Sequence, residues 1–225
     1  MNVLLFGATG MVGDAVLHEC LLDDRVTNVL ALTRSPLGVR HAKLRELGRT
    51  DFHAYDDIAA ELARIDACFF CLGVSAVGLS ERDYHHQTFD LTLAAGRALA
   101  AAHPGAVFCY VSGEGTDSTE KGRTMWARVK GATENALLAL PLQAYMFRPG
   151  FIRRREGGPP SKTLLYRLAY AVADPLYPLL RRIAPTHMTT AEHVGRAMIE
   201  VAANGYGSRV LENVDINRVG SATSP

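Results

Sequence analysis

Several kinds of residue and pattern are scarce in this chain, and each scarcity excludes a class. Only four of 225 residues are cysteine, namely Cys20, Cys68, Cys71 and Cys109, and all lie in apolar segments. That excludes a scaffold built on disulfides and fits reduced thiols in a core. Cys68 and Cys71 make a C-x-x-C, but within Ala67-Cys-Phe-Phe-Cys-Leu72, which reads as a buried strand. Residues three apart on a strand face opposite sides, so the pair is not placed to share a metal or a disulfide. Net charge is nearly absent as well, with 24 Lys and Arg against 23 Asp and Glu. A general attraction to nucleic acid or to an acidic membrane surface is excluded on that balance. No apolar run approaches the ~20 residues of a membrane-spanning helix. No 20–50-residue repeat and no low-complexity tract is present. His85 and His86 are adjacent on a helical pattern without an E-x-x-H partner, so no metal is expected there. The first strand begins at the N-terminus, so no leader is expected and the expected compartment is the cytoplasm.

What is present is alternation. Apolar, β-branched runs occur at Asn2–Phe6, Val26–Thr33, Asp66–Leu72, Ala106–Ser112 and Leu142–Arg148. A further short strand is expected at Asp51–Ala54. Helical patterns lie between most of them, at Met11–Leu22, Asp57–Arg64, Arg82–Ala102 and Arg123–Leu140. Strands alternating with helices of this length predict an α/β fold, a doubly wound parallel sheet of Rossmann type. With 48% hydrophobic and 21% charged residues, residues 1–225 are expected to form one domain. After Arg148 the rhythm changes, through Arg153-Arg154-Arg155 and Gly157-Gly-Pro-Pro160. Residues 151–190, with the tyrosine-rich Ser161–Ile183, are expected to form a small C-terminal substrate cap or an interface. A helix near Ala191–Ala203, a strand near Arg209–Asn213 and a polar tail are expected to complete the chain.

The most specific signal is Gly7-Ala-Thr-Gly10-Met-Val-Gly13, directly after the first strand and directly before the first helix. The spacing is G-x-x-G-x-x-G. Gly7 permits a tight turn, Gly10 lets backbone approach a pyrophosphate, and Gly13 lets the helix pack close to the sheet. The helix N-terminus adds free N–H groups and partial positive charge. Thr9, Met11 and Val12 complete the expected cradle. The second strand ends at Leu32-Thr33-Arg34-Ser35, where an NAD-selective site places an acidic residue on the ribose 2′-hydroxyl. Arg34 suits a 2′-phosphate instead, so NADP(H) is expected in preference to NAD(H).

Five segments in order, Gly7–Gly13, Cys71-Leu-Gly73, Tyr110-Val-Ser112, Val129-Lys130-Gly131 and Arg148-Pro-Gly150, resemble the atypical short-chain dehydrogenases/reductases. The likeness within them is to the Tat-interacting-protein-like, NAD-dependent epimerase-like branch. The resemblance implies that Leu72 and Gly73 lie beside the cofactor ribose and that Pro149 and Gly150 lie beside the nicotinamide. It implies catalytic positions for Ser112 and Lys130, with Lys130 also holding the ribose. The family's third catalytic position is the tyrosine of Y-x-x-x-K, and four residues before Lys130 stands Trp126. Residues i and i+4 share a helix face, so a tyrosine there has its phenolate favoured by the lysine. An indole N–H is a donor only and cannot give and recover a proton near neutral pH. Tyr110, which shares a strand face with Ser112, is a candidate substitute, as are Thr116 and Thr124; Glu114 reads as a solvated loop residue. Two functions follow: an NADP(H)-dependent oxidoreductase acting on a small molecule, or a catalytically silent NADP(H)-binding protein that governs a partner. Association with further copies is compatible with either.

Overall fold

The computed structural model describes residues 1–159, Arg182 and 184–222. The expected Ser161–Ile183 cap falls almost wholly outside the described residues. The chain runs β1 (Asn2–Phe6), α1 (Met11–Leu22), β2 (Asn28–Thr33), β3 (Leu44–Gly48), α2 (Ala59–Leu62) and β4 (Ala67–Phe70). It continues through α3 (Glu81–His85), α4 (Leu91–Ala102), β5 (Val107–Val111), α5 (Met125–Leu138), β6 (Gln143–Arg148) and β7 (Phe151–Arg153). After the undescribed stretch come β8 (Met188–Thr190), α6 (Ala191–Asn204), β9 (Val210–Glu212) and α7 (Asn213–Ala222).

Seven strands form one sheet in the order β3-β2-β1-β4-β5-β6-β9. Every pair is parallel, with Leu4 beside Leu30 on one side and Cys68 on the other. This is the doubly wound α/β architecture, and the order reverses between β1 and β4. The central strands are apolar at nearly every position because helices cover both faces. Alternation then sorts side chains between two cores. Val3 and Leu5 pack with Val16, Leu17, Val194 and Met198, beneath α1 and α6. Leu4 and Phe6 pack with Leu62, Leu99, Phe108 and Leu137, beneath α2, α4 and α5. A separate two-stranded parallel sheet pairs β7 with β8.

The structure corrects or refines the expectations in three places. The strand expected at Asp51–Ala54 is a loop, and the edge strand is β3, at Leu44–Gly48. Its exposed Arg45 and Glu46 hide it from an apolar-run criterion, since an edge strand gains from charge that blocks further pairing. The helix expected over Arg82–Ala102 runs without a gap from Glu81, but with a π-helical turn at His86–Asp90 within it. The polar tail is largely a helix, α7, which buries Asn213, Ile216, Val219 and Gly220 at helical spacing.

Candidate functional site

A crevice runs along the carboxyl ends of β1, β4, β5 and β6, where the strand order reverses. It consists of two adjoining cavities of about 700 Å³ and 620 Å³, both bounded by Gly10, Met11, Cys71, Leu72, Gly73 and Val74.

The glycine turn joins them. Gly7 takes φ +80°, and a Cβ there would lie 2.6 Å from the Cys71 carbonyl carbon. A Cβ on Gly13 would lie 2.1 Å from the Gly7 oxygen, so α1 starts hard against the turn. Gly10 differs: its added Cβ would meet only the Gly7 oxygen, at 3.2 Å, and otherwise open space. Gly10 N–H donates to that same oxygen at 2.8 Å, and Gly10 caps α1 with no side-chain hydrogen bond. The first-turn N–H groups of α1 are thus the natural donors to an anion in the crevice that Met11 and Val12 line. Gly13 itself does not line the crevice; it sets the packing that aims the helix.

The smaller cavity takes Gly7, Thr9 and Arg34 from the expected set. Thr33 Oγ1 ties the strand end by accepting from Ser35 N–H at 3.0 Å. Phe52 and His53, from the expected strand, instead wall this cavity as a loop together with Thr50, as does Gln87 of the π-helical turn. No Asp or Glu lines it among the described residues.

The larger cavity takes Ser112, Lys130, Pro149 and Gly150. Ser112 is buried, and its hydroxyl is within hydrogen-bond reach of Glu134 Oε1 at 2.5 Å and the Phe147 carbonyl at 3.1 Å. Glu134, only 1% exposed, is held by Arg148, whose Nε donates to Oε1 at 3.0 Å and whose Nη2 meets Oε2. A buried carboxylate is stable only with such a partner, and the hydrogen bond to Glu134 raises Arg148 above its ordinary range. Lys130 Nζ donates to the Ser112 carbonyl. Burial lowers the Lys130 ammonium to about 8, against an upward pull from Glu134. Ser112 and Lys130 therefore do meet, through the serine's backbone, while its hydroxyl is engaged by Glu134.

Trp126 is half-buried one turn before Lys130, with ring atom Cη2 placed 3.6 Å from where a Gly115 Cβ would stand. It covers the loop after β5 and does not line the crevice. Tyr110 is no substitute proton donor. It shares the Ser112 face as expected, but that face is packed into the second core, and burial raises its phenol far above the usual range. Thr116 is likewise tied inward, donating to the Gly113 carbonyl at 2.7 Å.

Glu114 and Asn213, which the sequence reading did not place here, complete this end. Glu114 is an exposed turn residue, as expected, but it also lines the cavity, and its carboxylate pairs with His187. Asn213, buried at the start of α7, accepts from Gly150 N–H at 2.9 Å and donates to the Thr186 and Met188 carbonyls at 2.8 Å and 3.1 Å. Arg155, from the arginine run, pairs with Asp14 of α1 at 3.0 Å. Carboxylate–histidine contact across 73 residues leaves no local mark in a sequence.

Residues 3–133 match the NAD dependent epimerase/dehydratase family. The chain is 26% identical over 122 residues to leucinostatins biosynthesis cluster protein T of Purpureocillium lilacinum, covering 53% of this chain and 45% of that protein. It thus spans less than half the length of that relative. It is 30% identical over 173 residues to protein fmp52, mitochondrial, of Emericella nidulans, covering 72% of each. Among solved structures, the Bordetella bronchiseptica enzyme WbmF, in complex with NAD+, superposes with a TM-score of 0.67 at 15% identity, covering 100% of this chain and 79% of that one. That likeness establishes the fold.

Proposed function

From the premise that the chain belongs to the NAD-dependent epimerase/dehydratase family, we propose that it is an NADP(H)-dependent oxidoreductase of the short-chain type, working without the usual tyrosine. The observation that carries this reading is the open Gly10 position at the head of α1, between two cavities of size to take the two halves of a dinucleotide. Gly7, Thr9, Gly10, Met11 and Val12 would hold the pyrophosphate, Leu72, Gly73 and Lys130 the nicotinamide ribose, and Pro149 and Gly150 the nicotinamide. A reduced nicotinamide in that position supplies hydride to a small-molecule carbonyl. Lys130, with its ammonium lowered by burial, holds the Ser112 backbone, and Glu134 and Arg148 fix the serine behind it.

NADP(H) is preferred to NAD(H) in this reading, because Arg34 lines the smaller cavity and no carboxylate does among the described residues. A charge-assisted hydrogen bond is worth about 1.5–3 kcal/mol, or one to two decades of affinity. Titration of the chain with NADPH and NADH tests both statements. NADPH is expected to bind tighter by ~10–100-fold, and Arg34→Ala to remove most of that margin. Equal affinities in the wild type would take Arg34 out of this role.

One observation favours a second reading, a silent NADP(H)-binding protein that regulates a protein partner: the Ser112 hydroxyl is engaged by Glu134. Screening the NADPH-loaded chain against aldehydes, ketones and quinones separates the two. The four free cysteines fit a reducing compartment, read here as the cytoplasm, with mitochondria the rival suggested by the name of one relative. Fractionation of the tagged full chain decides between them.

A further inference from the structure

The loop after β5 meets the segment before β8 directly above Gly150. Glu114 N–H donates to the Pro149 carbonyl at 2.9 Å. Its Oε1 meets His187 Nδ1, and its Oε2 lies beside Gly150. A Cβ on Gly150 would stand 2.6 Å from that Oε2 and 2.3 Å from the His187 carbonyl, so only glycine admits the pair at this place. Asn213 binds Gly150 and the carbonyls on both sides of His187, which fixes the two partners in register. The pair is also graded in exposure. Glu114 reaches the crevice beside Ser112 and Lys130, while the His187 side chain is 61% exposed at its rim.

Resting on the reading above, we propose that Glu114 and His187 form the proton-transfer pair of this site, in the role that Trp126 cannot fill. Glu114 is the group that faces substrate, and His187 exchanges its proton with water through Nε2. For a carbonyl substrate the balance is complete. The carbon gains a hydride, with its electron pair, from a reduced nicotinamide, which is left oxidised. The π pair of the C=O bond becomes an O–H bond with the proton from Glu114. That carboxylate recovers a proton from the His187 imidazolium, and the imidazole recovers one from water.

The charged surroundings suit this role. Lys130 Nζ is 4.0 Å from the Cβ position of Gly113, the residue before Glu114. Glu134 and Arg148 neutralise one another behind Ser112. From α7 the nearest group is the neutral amide of Asn213.

The test follows the His187 Cε1–H resonance through a pH titration of the full chain, with His187→Gln identifying the signal. Glu114→Gln keeps shape and hydrogen-bonding capacity but removes the carboxylate charge. It is expected to move the His187 Cε1–H resonance at every pH, because the imidazole loses its charged contact. Saturation with NADP+ is expected to shift the wild-type titration as well, because the pair borders the crevice. For carbonyls that the wild type reduces, Glu114→Gln is expected to cut kcat ~100-fold or more at unchanged NADPH affinity, and Glu114→Asp to recover part of it. An identical His187 titration in wild type and Glu114→Gln would overturn the pair. So would an undiminished kcat. If the wild type bound neither NADPH nor NADH, the oxidoreductase reading would fail instead, and the His187 titration would still report on the pair.

Discussion

The two ends of the crevice are built from different materials. At the head of α1 the shape is made by backbone: Gly7 and Gly13 allow carbonyl and helix to approach within distances that a Cβ would forbid. Around Ser112 it is made by side chains, a buried chain of Arg148, Glu134, Ser112 and Lys130 with Glu114, His187 and Asn213 across from it. Backbone geometry tolerates no partial change, because a methyl group either fits or does not. A polar network has intermediate states, since each partner removed leaves another one buried and unmet. The first end suits binding of one rigid group common to many reactions, and the second suits chemistry that differs from one relative to the next.

The sharpest way to break that contrast lies within the glycines themselves. Gly13→Val puts atoms into the Gly7 carbonyl and is expected to abolish the cooperative melt. Gly10→Val meets only the Gly7 oxygen, at 3.2 Å for its Cβ, and is expected to keep a cooperative melt, slightly lowered, while losing nucleotide binding beyond detection. A folded Gly10→Val with unchanged affinity would place the nucleotide elsewhere. Next in size is Glu134→Ala, which takes the buried carboxylate from Arg148 and Ser112 and leaves Arg148 with Glu212 and Ser118 and the serine with the Phe147 carbonyl. Breaking a buried pair costs about 3–5 kcal/mol, to be read from denaturant unfolding. A loss below about 1 kcal/mol would mean that the network is not structural. Asn213→Ala removes the amide that joins Gly150 to the β8 segment. The expected loss is about 1–3 kcal/mol, with the His187 resonance broadened or moved. The smallest effect is a pH dependence of stability. Lys130 is lowered by burial to about 8 from an ordinary 10.5. Between those values the unfolded chain holds more protons, so the Lys130 contribution makes stability rise with pH across that window. Below about 8 the ammonium is charged in both states and its burial cost is constant. Lys130→Met is expected to flatten the rise, and an unchanged slope would assign it to other groups.

The same contrast governs what the sequence made legible. β1 and α1 fall at the expected residues, since an apolar run, a glycine turn and a helical period are all local. β3 was missed because Arg45 and Glu46 put an exposed charge on each face of the edge strand. α7 was missed because its buried stripe begins with a polar residue, Asn213, and ends with a glycine. At the site, Ser112 and Lys130 were found from their segments, but the direction of the Ser112 hydroxyl depends on Glu134, a glutamate that in sequence reads as one more solvent-facing helix residue. Glu114 was visible only as a loop acid until His187 was brought to it. Interactions between side chains distant in sequence carry no period and no spacing, which is why the glycine turn was readable and the Ser112–Glu134 and Glu114–His187 contacts were not.

The packing of α6 on α1 has a consequence for how the chain is made. Gly195 brings the two helices so close that its Cβ would stand 3.2 Å from the Val16 Cα, and Arg25 of the turn after α1 pairs with Glu200 at 2.6 Å. Val16, Leu17 and Cys20 share their core with Val194, Met198 and Val201. The ribosome delivers Leu17 and Val194 some 177 residues apart, by their positions in the chain. At about 5–20 residues per second the interval is roughly 9–35 s. Through that time the apolar face of the nucleotide-cradling helix lacks its cover, and parallel pairing of distant strands adds further delay. α1 is thus made long before the helix that covers it, and its apolar face stays open through that interval.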